Sequence, residues 1–219
     1  KKIAILGSTG SIGKTLLKII KNDKKNFKIE LITAKSNYKE LFKQAKIFDV
    51  RNLIITDNKY FKIAQKIAIK KNINVYNNFD KLKKIFPNKI DYVMSSIIGI
   101  EGLKPSIEII KYTKNIAIAN KESIVCGWPL IKNKLKQHKT KFLPVDSEHF
   151  SIWYAIKDEN KKDIEKIFIT ASGGPFLYTK ISNFKKIKIA QALKHPNWKK
   201  GKKISIDSST MMNKVLEVI

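Results

Sequence analysis

Short apolar runs alternate with longer amphipathic stretches through most of this chain. Strands are predicted at Ile3–Leu6, Lys28–Thr33, Asn52–Ile55, Asn74–Tyr76, Tyr92–Ser95, Ile116–Ala119, Phe142–Val145, Ile167–Ala171 and Lys203–Ile206. Helices are predicted between most of them, at Lys14–Lys21, Asn37–Ile47, Phe61–Lys71, Leu103–Thr113 and Leu130–Lys139. This alternation indicates the α/β class, with a parallel sheet that is covered by helices on both faces.

The regular alternation ends near residue 120, where longer loops with distinctive motifs begin. We therefore predict two domains, 1–120 and 121–219, which is a reasonable division for a chain of this length. No apolar run is long enough to span a membrane. The single cysteine, Cys126, excludes an internal disulfide.

A glycine-rich turn separates the first predicted strand from the helix that follows it. Residues 6–14 read LGSTGSIGK, with glycines at positions 7, 10 and 13. Glycine allows a tight turn and a close approach of the backbone to a pyrophosphate, and the helix N-terminus offers free N–H groups to phosphates. Thr9 and Ser11 add hydroxyl donors. We predict a dinucleotide site here; the alternative is a purely structural turn.

The second predicted strand suggests which dinucleotide is bound. An NAD site usually has an aspartate or glutamate at the end of this strand, on the ribose 2′-hydroxyl. Here the strand leads into Lys35, Ser36 and Asn37 instead. These residues suit a 2′-phosphate, so NADP is favoured over NAD.

Basic residues outnumber acidic ones by 45 to 18, which gives a formal net charge of +27. Such an excess is typical of proteins that bind nucleic acid or anionic membranes. Arg51 is the single arginine, however, and arginine makes the bidentate base contacts of sequence-specific readers. We therefore predict no nucleic-acid or membrane partner, and a positive field that favours a phosphorylated substrate.

Two acidic residues, Asp146 and Glu148, flank Ser147 just after a predicted strand in this otherwise basic chain. Carboxylate oxygens at the end of a parallel strand suit a hard divalent cation. A third carboxylate is available from Glu217, which shares a helix face with Lys214 three residues earlier. The alternative for the first pair alone is a solvated acidic turn.

Three further stretches give the most specific pattern in the chain. They are ANKESIV at 119–125, PVDSEH at 144–149 and HPNWKKGKKISIDSSTMMNK at 195–214. With GSTGSIG at 7–13 they resemble, in order and over the whole chain, the 1-deoxy-D-xylulose 5-phosphate reductoisomerase family. The resemblance implies a Rossmann-like domain followed by an incomplete α/β catalytic domain. It also implies metal-dependent isomerisation and NADPH-dependent reduction of 1-deoxy-D-xylulose 5-phosphate to 2-C-methyl-D-erythritol 4-phosphate, in non-mevalonate isoprenoid biosynthesis.

The resemblance also implies roles residue by residue. A divalent cation, Mn²⁺ or Mg²⁺, is implied on Asp146, Glu148 and Glu217, and catalytic roles are implied for Glu148 and Lys214. The residues implied at the NADPH cofactor are Gly7, Thr9, Gly10, Ser11, Ile12, Gly13, Lys35, Ser36, Asn37, Asn120, Lys121, Glu122 and Gly201. Those implied at the phosphorylated ketose are Ser147, Glu148, Ser172, His195, Trp198, Ser208, Asn213, Lys214 and Glu217, with His195 and Trp198 in a lid.

Some features depart from the family pattern. Val215 stands where the family commonly has glycine, beside the implied ligand Glu217. Family members continue beyond Ile219, so the chain is expected to be an N-terminal fragment of a protein that is a homodimer at full length. The resemblance implies a location in the bacterial cytoplasm, or in the plastid stroma if a transit peptide is missing.

Two other classes of function stay open at this point. An NADPH-dependent dehydrogenase of the semialdehyde type would share the glycine turn but would need a nucleophilic cysteine, whereas we expect Cys126 to be a small buried residue. A basic nucleic-acid-binding protein would be indifferent to the loss of Asp146 and would bind in a steeply salt-dependent way.

Overall fold

The computed structural model of the chain describes residues 1–69, 72–194 and 202–219. It divides into two compact units, Lys1–Asp146 and Ser147–Ile219. The functional division near residue 120 stays a prediction.

Seven parallel strands form one sheet in the first unit, in the order β4-β3-β2-β1-β5-β6-β7. They are β1 (Lys2–Leu6), β2 (Lys28–Ala34), β3 (Asn52–Ile55), β4 (Asn74–Tyr76), β5 (Tyr92–Ser95), β6 (Asn115–Ile118) and β7 (Lys141–Pro144). The order runs outward from β1 in both directions, so the switch point lies between β1 and β5. In open α/β sheets, ligands bind outside the carboxyl ends of the strands at this point.

The central strands are mostly apolar because both faces of the sheet are covered. Ile3 and Ile5 of β1 belong to one buried cluster, whereas the alternate residues Ala4 and Leu6 belong to another. Successive side chains of a strand point to opposite faces, so these two clusters are the cores above and below the sheet. The predicted α/β class with a doubly covered parallel sheet is confirmed.

Six helices connect the strands of the first unit. They are α1 (Ser11–Asn22), α2 (Tyr38–Phe48), α3 (Asn58–Ile69), α4 (Leu82–Ile85), α5 (Leu103–Ile109) and α6 (Lys121–His138). Short 3₁₀ turns lie at Lys24–Asn26, Ile100–Gly102 and Ile110–Tyr112. Helix α6 begins earlier than the predicted Leu130, directly after its N-cap Asn120.

The second unit contains helices and irregular segments. Its helices are α7 (Ser147–Ile156), α8 (Ile189–Ala192), α9 (Lys202–Ser209) and α10 (Met212–Val218), with 3₁₀ turns at Lys161–Asp163 and Ile181–Lys186. No strand is assigned among the residues of this unit that the structure describes. Across all the described residues, no helix is long and apolar enough to cross a membrane.

Two of the nine predicted strands are wrong, and both fall in this second unit. Residues 167–171 have no regular structure, and Ile167 and Phe168 are 53% and 81% exposed. An apolar run becomes a strand only where another strand can pair with it, and none is described nearby. Residues 203–206 lie instead in α9, where the N–H of Thr210 donates to the carbonyl of Ile206 at 3.0 Å.

Candidate active site

The glycine turn after β1 brings the backbone of two neighbouring strands close together. Gly7 has a φ of +78°, and a Cβ atom placed on it would lie 2.9 Å from the carbonyl oxygen of Ser96, just after β5. The N–H of Gly7 donates to Thr33 Oγ1 at 2.9 Å, and the N–H of Gly10 donates to the Gly7 carbonyl at 3.1 Å. Gly10 is then the N-cap of α1. The turn therefore needs glycine at position 7, and it places a helix N-terminus at the switch point.

A buried polar pair, which the sequence analysis did not predict, holds this turn against α2. Ser8 Oγ donates to Gln44 Oε1 at 2.7 Å, and Gln44 Nε2 returns a hydrogen bond to the Ser8 carbonyl at 3.2 Å. The two residues are 0% and 4% exposed. Because they lie 36 positions apart with no motif between them, no spacing rule connects them.

A cleft of about 690 Å³ opens at the carboxyl ends of the strands. Four of the predicted cofactor residues line it: Gly7, Thr9, Gly10 and Lys35. Loops after β3, β4 and β5, with residues such as Thr56, Asn77 and Ile97, form further parts of its described wall, together with helix α5. The predicted residues that are not among its described lining are Ser11, Ile12, Gly13, Ser36, Asn37, Asn120, Lys121 and Glu122.

Lys35 follows β2 and makes an ion pair within this cleft. Its Nζ atom lies 2.9 Å and 3.0 Å from the two carboxylate oxygens of Glu101. Its neighbour Asn37 has a local role, since Asn37 Oδ1 accepts from the N–H of Glu40 as the N-cap of α2. The corner after β2 therefore presents one lysine to the cleft, beside residues that begin the next helix.

Asn120 is buried and supports the loop that follows β5. Its Nδ2 atom donates to the carbonyl of Ile97 at 2.8 Å and also to the carbonyl of Gly99. Its Oδ1 atom accepts from the N–H of Ser123 at 3.2 Å. One side chain thus caps α6 and satisfies carbonyls of a loop that lines the cleft.

At the end of the first unit, Lys121 and Asp146 form an ion pair. Lys121 Nζ lies 2.8 Å from Asp146 Oδ2, and the two side chains are only 16% and 19% exposed. A residue predicted at the cofactor and a residue predicted at the metal are therefore in direct contact. Partly buried charges of this kind need a counter-charge, and each supplies it to the other.

In the second unit, Lys214 joins two glutamates that lie far apart in sequence. Its ammonium group contacts Glu148 Oε1 and lies 2.9 Å from Glu217 Oε2. Carboxylate oxygens of Glu148 and Glu217 lie within 4.8 Å of one another. The Glu217 side chain has no exposed surface, and it also accepts from Asn213 Nδ2 at 2.8 Å.

The oxygen-rich surroundings of these glutamates suit a hard cation. Burial raises the pKa of Glu148, but hydrogen bonds from Lys214 and Ser147 outweigh that effect and bring the pKa below its ordinary value. Burial lowers the pKa of Lys214, whereas its hydrogen bonds to Glu148 and Glu217 raise it overall. Glu148 is therefore held as a carboxylate, the form in which a divalent cation binds it.

The loop that contains Ser172 packs against the end of α9. Gly173 and Gly174 have φ values of +77° and +67°, and a Cβ atom on Gly174 would lie 2.5 Å from the Ser208 carbonyl oxygen. Two predicted substrate positions, Ser172 and Ser208, are thereby brought into one region of the second unit. Successive backbone N–H groups in such a glycine turn are suited to an anion.

Several other positions differ from expectation or lie outside the described residues. Val215 is 46% exposed, so its branched side chain is accommodated on the open face of α10 while Glu217 is buried. Cys126, expected to be buried, is exposed. His195, Trp198 and Gly201 lie outside the described residues, and their roles stay predictions.

A glycine turn at the switch point of a doubly covered parallel sheet is the arrangement typical of dinucleotide-binding α/β folds. Residues 3–127 match the family model for 1-deoxy-D-xylulose 5-phosphate reductoisomerase, and residues 142–219 match the model for the C-terminal domain of that enzyme. The chain belongs to the 1-deoxy-D-xylulose 5-phosphate reductoisomerase family.

Individual relatives agree with this assignment. The chain is 61% identical, over its whole length, to 1-deoxy-D-xylulose 5-phosphate reductoisomerase of Pelagibacter ubique (strain HTCC1062), and spans 57% of that protein. The solved reductoisomerase of Zymomonas mobilis in complex with NADPH is 34% identical, with a TM-score of 0.88 over 100% of this chain and 56% of the solved one. A DOX-P reductoisomerase in complex with NADPH, fosmidomycin and magnesium is also 34% identical, with a TM-score of 0.85 and the same coverage.

Proposed function

We propose that the full-length protein converts 1-deoxy-D-xylulose 5-phosphate to 2-C-methyl-D-erythritol 4-phosphate, using NADPH and a divalent cation. The observation that supports this best is the pair of largely buried glutamates, Glu148 and Glu217, which Lys214 holds within 4.8 Å of one another. The chain spans little more than half the length of its relatives, so the proposal concerns the complete protein.

The cleft of the first unit supports NADPH as the cofactor. Its glycine turn and the N-terminus of α1 would bind the pyrophosphate, and Lys35 would bind the 2′-phosphate. The corner after β2 has no carboxylate for the free 2′-hydroxyl of NAD. Bound NADPH supplies the hydride, and the protein supplies its orientation.

Three carboxylates would hold the divalent cation: Glu148, Glu217 and Asp146, which precedes Glu148 by two residues. A Mg²⁺ or Mn²⁺ ion held there would supply a Lewis acid for the ketose oxygens. Lys214 would bind substrate oxygens with the ammonium group that it now directs at both glutamates. Lys121 neutralises Asp146 in a similar way.

The substrate phosphate and hydroxyl groups would be bound by Ser172, Ser208, Asn213 and Lys214. This is supported by the glycine turn at positions 173 and 174, which packs on Ser208. The proposed functional unit is a homodimer in the bacterial cytoplasm. That the protein has no nucleic-acid or membrane partner stays a prediction.

The direct test measures NADPH consumption by the full-length natural protein with 1-deoxy-D-xylulose 5-phosphate and Mn²⁺. We expect turnover that chelation of the metal abolishes and that added metal restores. Asp146→Asn should reduce turnover and Mn²⁺ affinity by about 100-fold or more, since even residues behind metal ligands cost 10- to 100-fold.

A matched control makes the same chemical change away from the site. Asp163→Asn, in the exposed turn Lys161–Asp163, should leave both quantities within about twofold. Cys126→Ser should likewise have little effect. Loss of turnover on Cys126→Ser would favour a semialdehyde dehydrogenase, and a full-length protein that is inactive with metal would overturn the proposal.

A further inference from the structure

An ion pair within the dinucleotide cleft carries an inference beyond the proposed reaction. Lys35 and Glu101 both line the cleft, and their charged groups meet at 2.9 Å and 3.0 Å in a two-pronged contact. The side chains are 66% and 63% exposed. An exposed pair of this kind adds little to folding stability, so it can exchange partners readily.

The ion pair joins two loops that lie on either side of the glycine turn. Lys35 follows β2, and Glu101 lies in the turn Ile100–Gly102 after β5. In the sheet, β2 and β5 are the two neighbours of β1, so their ends lie roughly 10 Å apart with the glycine turn between them. The pair therefore links the end of β2 to the turn after β5 within the cleft.

We propose that Glu101 is an internal competitor for the 2′-phosphate of the cofactor. This inference rests on the proposed use of NADPH. Glu101 pairs with the ammonium group of Lys35, and the 2′-phosphate would have to replace it there. The displaced carboxylate stays in the same cleft and repels the phosphate, so Glu101 weakens binding of NADPH and leaves NADH unaffected.

A second glutamate of the same cleft serves as a matched comparison. Glu108 also lines the cleft, but its carboxylate lies 3.9 Å from Lys104, one helical turn away on α5. It makes no described contact with Lys35. The two glutamates thus have the same charge and line the same cleft, but Glu101 pairs with Lys35 and Glu108 pairs with Lys104.

The test measures dissociation constants for NADPH and NADH with the full-length protein. We expect Glu101→Gln to bind NADPH about three- to tenfold more tightly in about 25 mM NaCl, with NADH unchanged. In about 500 mM NaCl the gain should largely disappear, because salt screens the repulsion. Glu108→Gln should stay within about twofold of the wild type for both cofactors.

The outcomes separate this inference from the proposed function. If Glu101→Gln leaves NADPH affinity unchanged, or tightens NADH equally, Glu101 does not compete for the phosphate and the inference falls while the proposed function stands. Lys35→Gln should weaken NADPH and remove the gain from Glu101→Gln in the double variant. If the wild-type protein binds no NADPH, the proposed cofactor is wrong and the inference falls with it.

Discussion

Gly10 and Gly13 lie three residues apart in the same turn, yet an added methyl group would meet different surroundings at each. At Gly13 it would lie 2.5 Å from Ser8 Cα and 2.6 Å from the Gly7 carbonyl oxygen, which are backbone atoms that cannot move aside. At Gly10 the nearest atom is 3.4 Å away, and φ is −76°. The two glycines therefore have different tolerance for alanine.

We expect Gly13→Ala to lower the free energy of unfolding by about 1–3 kcal/mol, because the turn must distort to admit the methyl group. Gly10→Ala should cost less than about 1 kcal/mol, the difference between glycine and alanine at an N-cap. Urea denaturation of the two variants measures both values. Equal losses would show that close packing at Gly13 is not what the turn requires.

Individual site residues could be predicted from the sequence where they are part of a short local motif. Gly7, Lys35 and the pair Lys214 and Glu217 follow from glycine spacing, strand ends and helical spacing. Ser8 with Gln44, and Lys35 with Glu101, could not be predicted. These pairs lie 36 and 66 positions apart, and only the folded sheet brings them together.

Helix α6 depends at its first turn on a residue that also serves a neighbouring loop. Asn120 caps the helix and donates to the carbonyls of Ile97 and Gly99. We expect Asn120→Ala to cost about 2–4 kcal/mol of stability, from one lost cap and carbonyl groups left without a donor. Asn120→Asp should cost at least as much, since it keeps the cap acceptor but turns a carboxylate oxygen towards those carbonyls.

The control for this prediction is another asparagine cap. Asn37 caps α2 through the same type of bond to the N–H of Glu40 but is exposed, so Asn37→Ala should cost only about 0.5–1 kcal/mol. Denaturant unfolding of the three variants gives the comparison. Similar losses for Asn37→Ala and Asn120→Ala would mean that the loop contacts of Asn120 add no stability.

The strand predictions are correct for the sheet of the first unit and wrong for the second unit. Five of the seven confirmed strands, β1, β2, β3, β5 and β6, are mostly apolar and buried within the sheet, whereas the edge strands β4 and β7 pair with a neighbour but are only partly buried. The two failures, at 167–171 and 203–206, have the same local pattern without a pairing partner among the described residues. An apolar pattern over four or five residues favours a strand. The strand forms only where another strand pairs with it.

For the whole molecule, the excess of positive charge dominates the electrostatics. A net charge of +27 destabilises the folded state relative to the unfolded chain, because like charges lie closer together in the folded state. Added salt screens it, so we expect the melting temperature to rise by roughly 2–8 °C between about 20 mM and about 500 mM NaCl. Differential scanning calorimetry of the protein measures the change.

Chemical modification supplies the control for this effect. Methylation of the lysines keeps their charge and should preserve the salt dependence, whereas partial acetylation, of about 27 lysines, cancels the net charge of +27 and should flatten it. A melting temperature that is independent of salt in the unmodified protein would show that its charges are already neutralised locally by pairs such as Lys114 with Asp91.

The placement of β1 in the middle of the sheet has a consequence for synthesis on the ribosome. β1 is the first of the seven strands to be made, yet its partner β5 begins only at Tyr92. At about 5–20 residues per second, Ile3–Leu6 waits roughly 4–17 s with one apolar edge unpaired. Nascent chains that stop before Tyr92 should therefore be prone to aggregation and bound by chaperones. In chains that extend past β5, β1 can pair with β5.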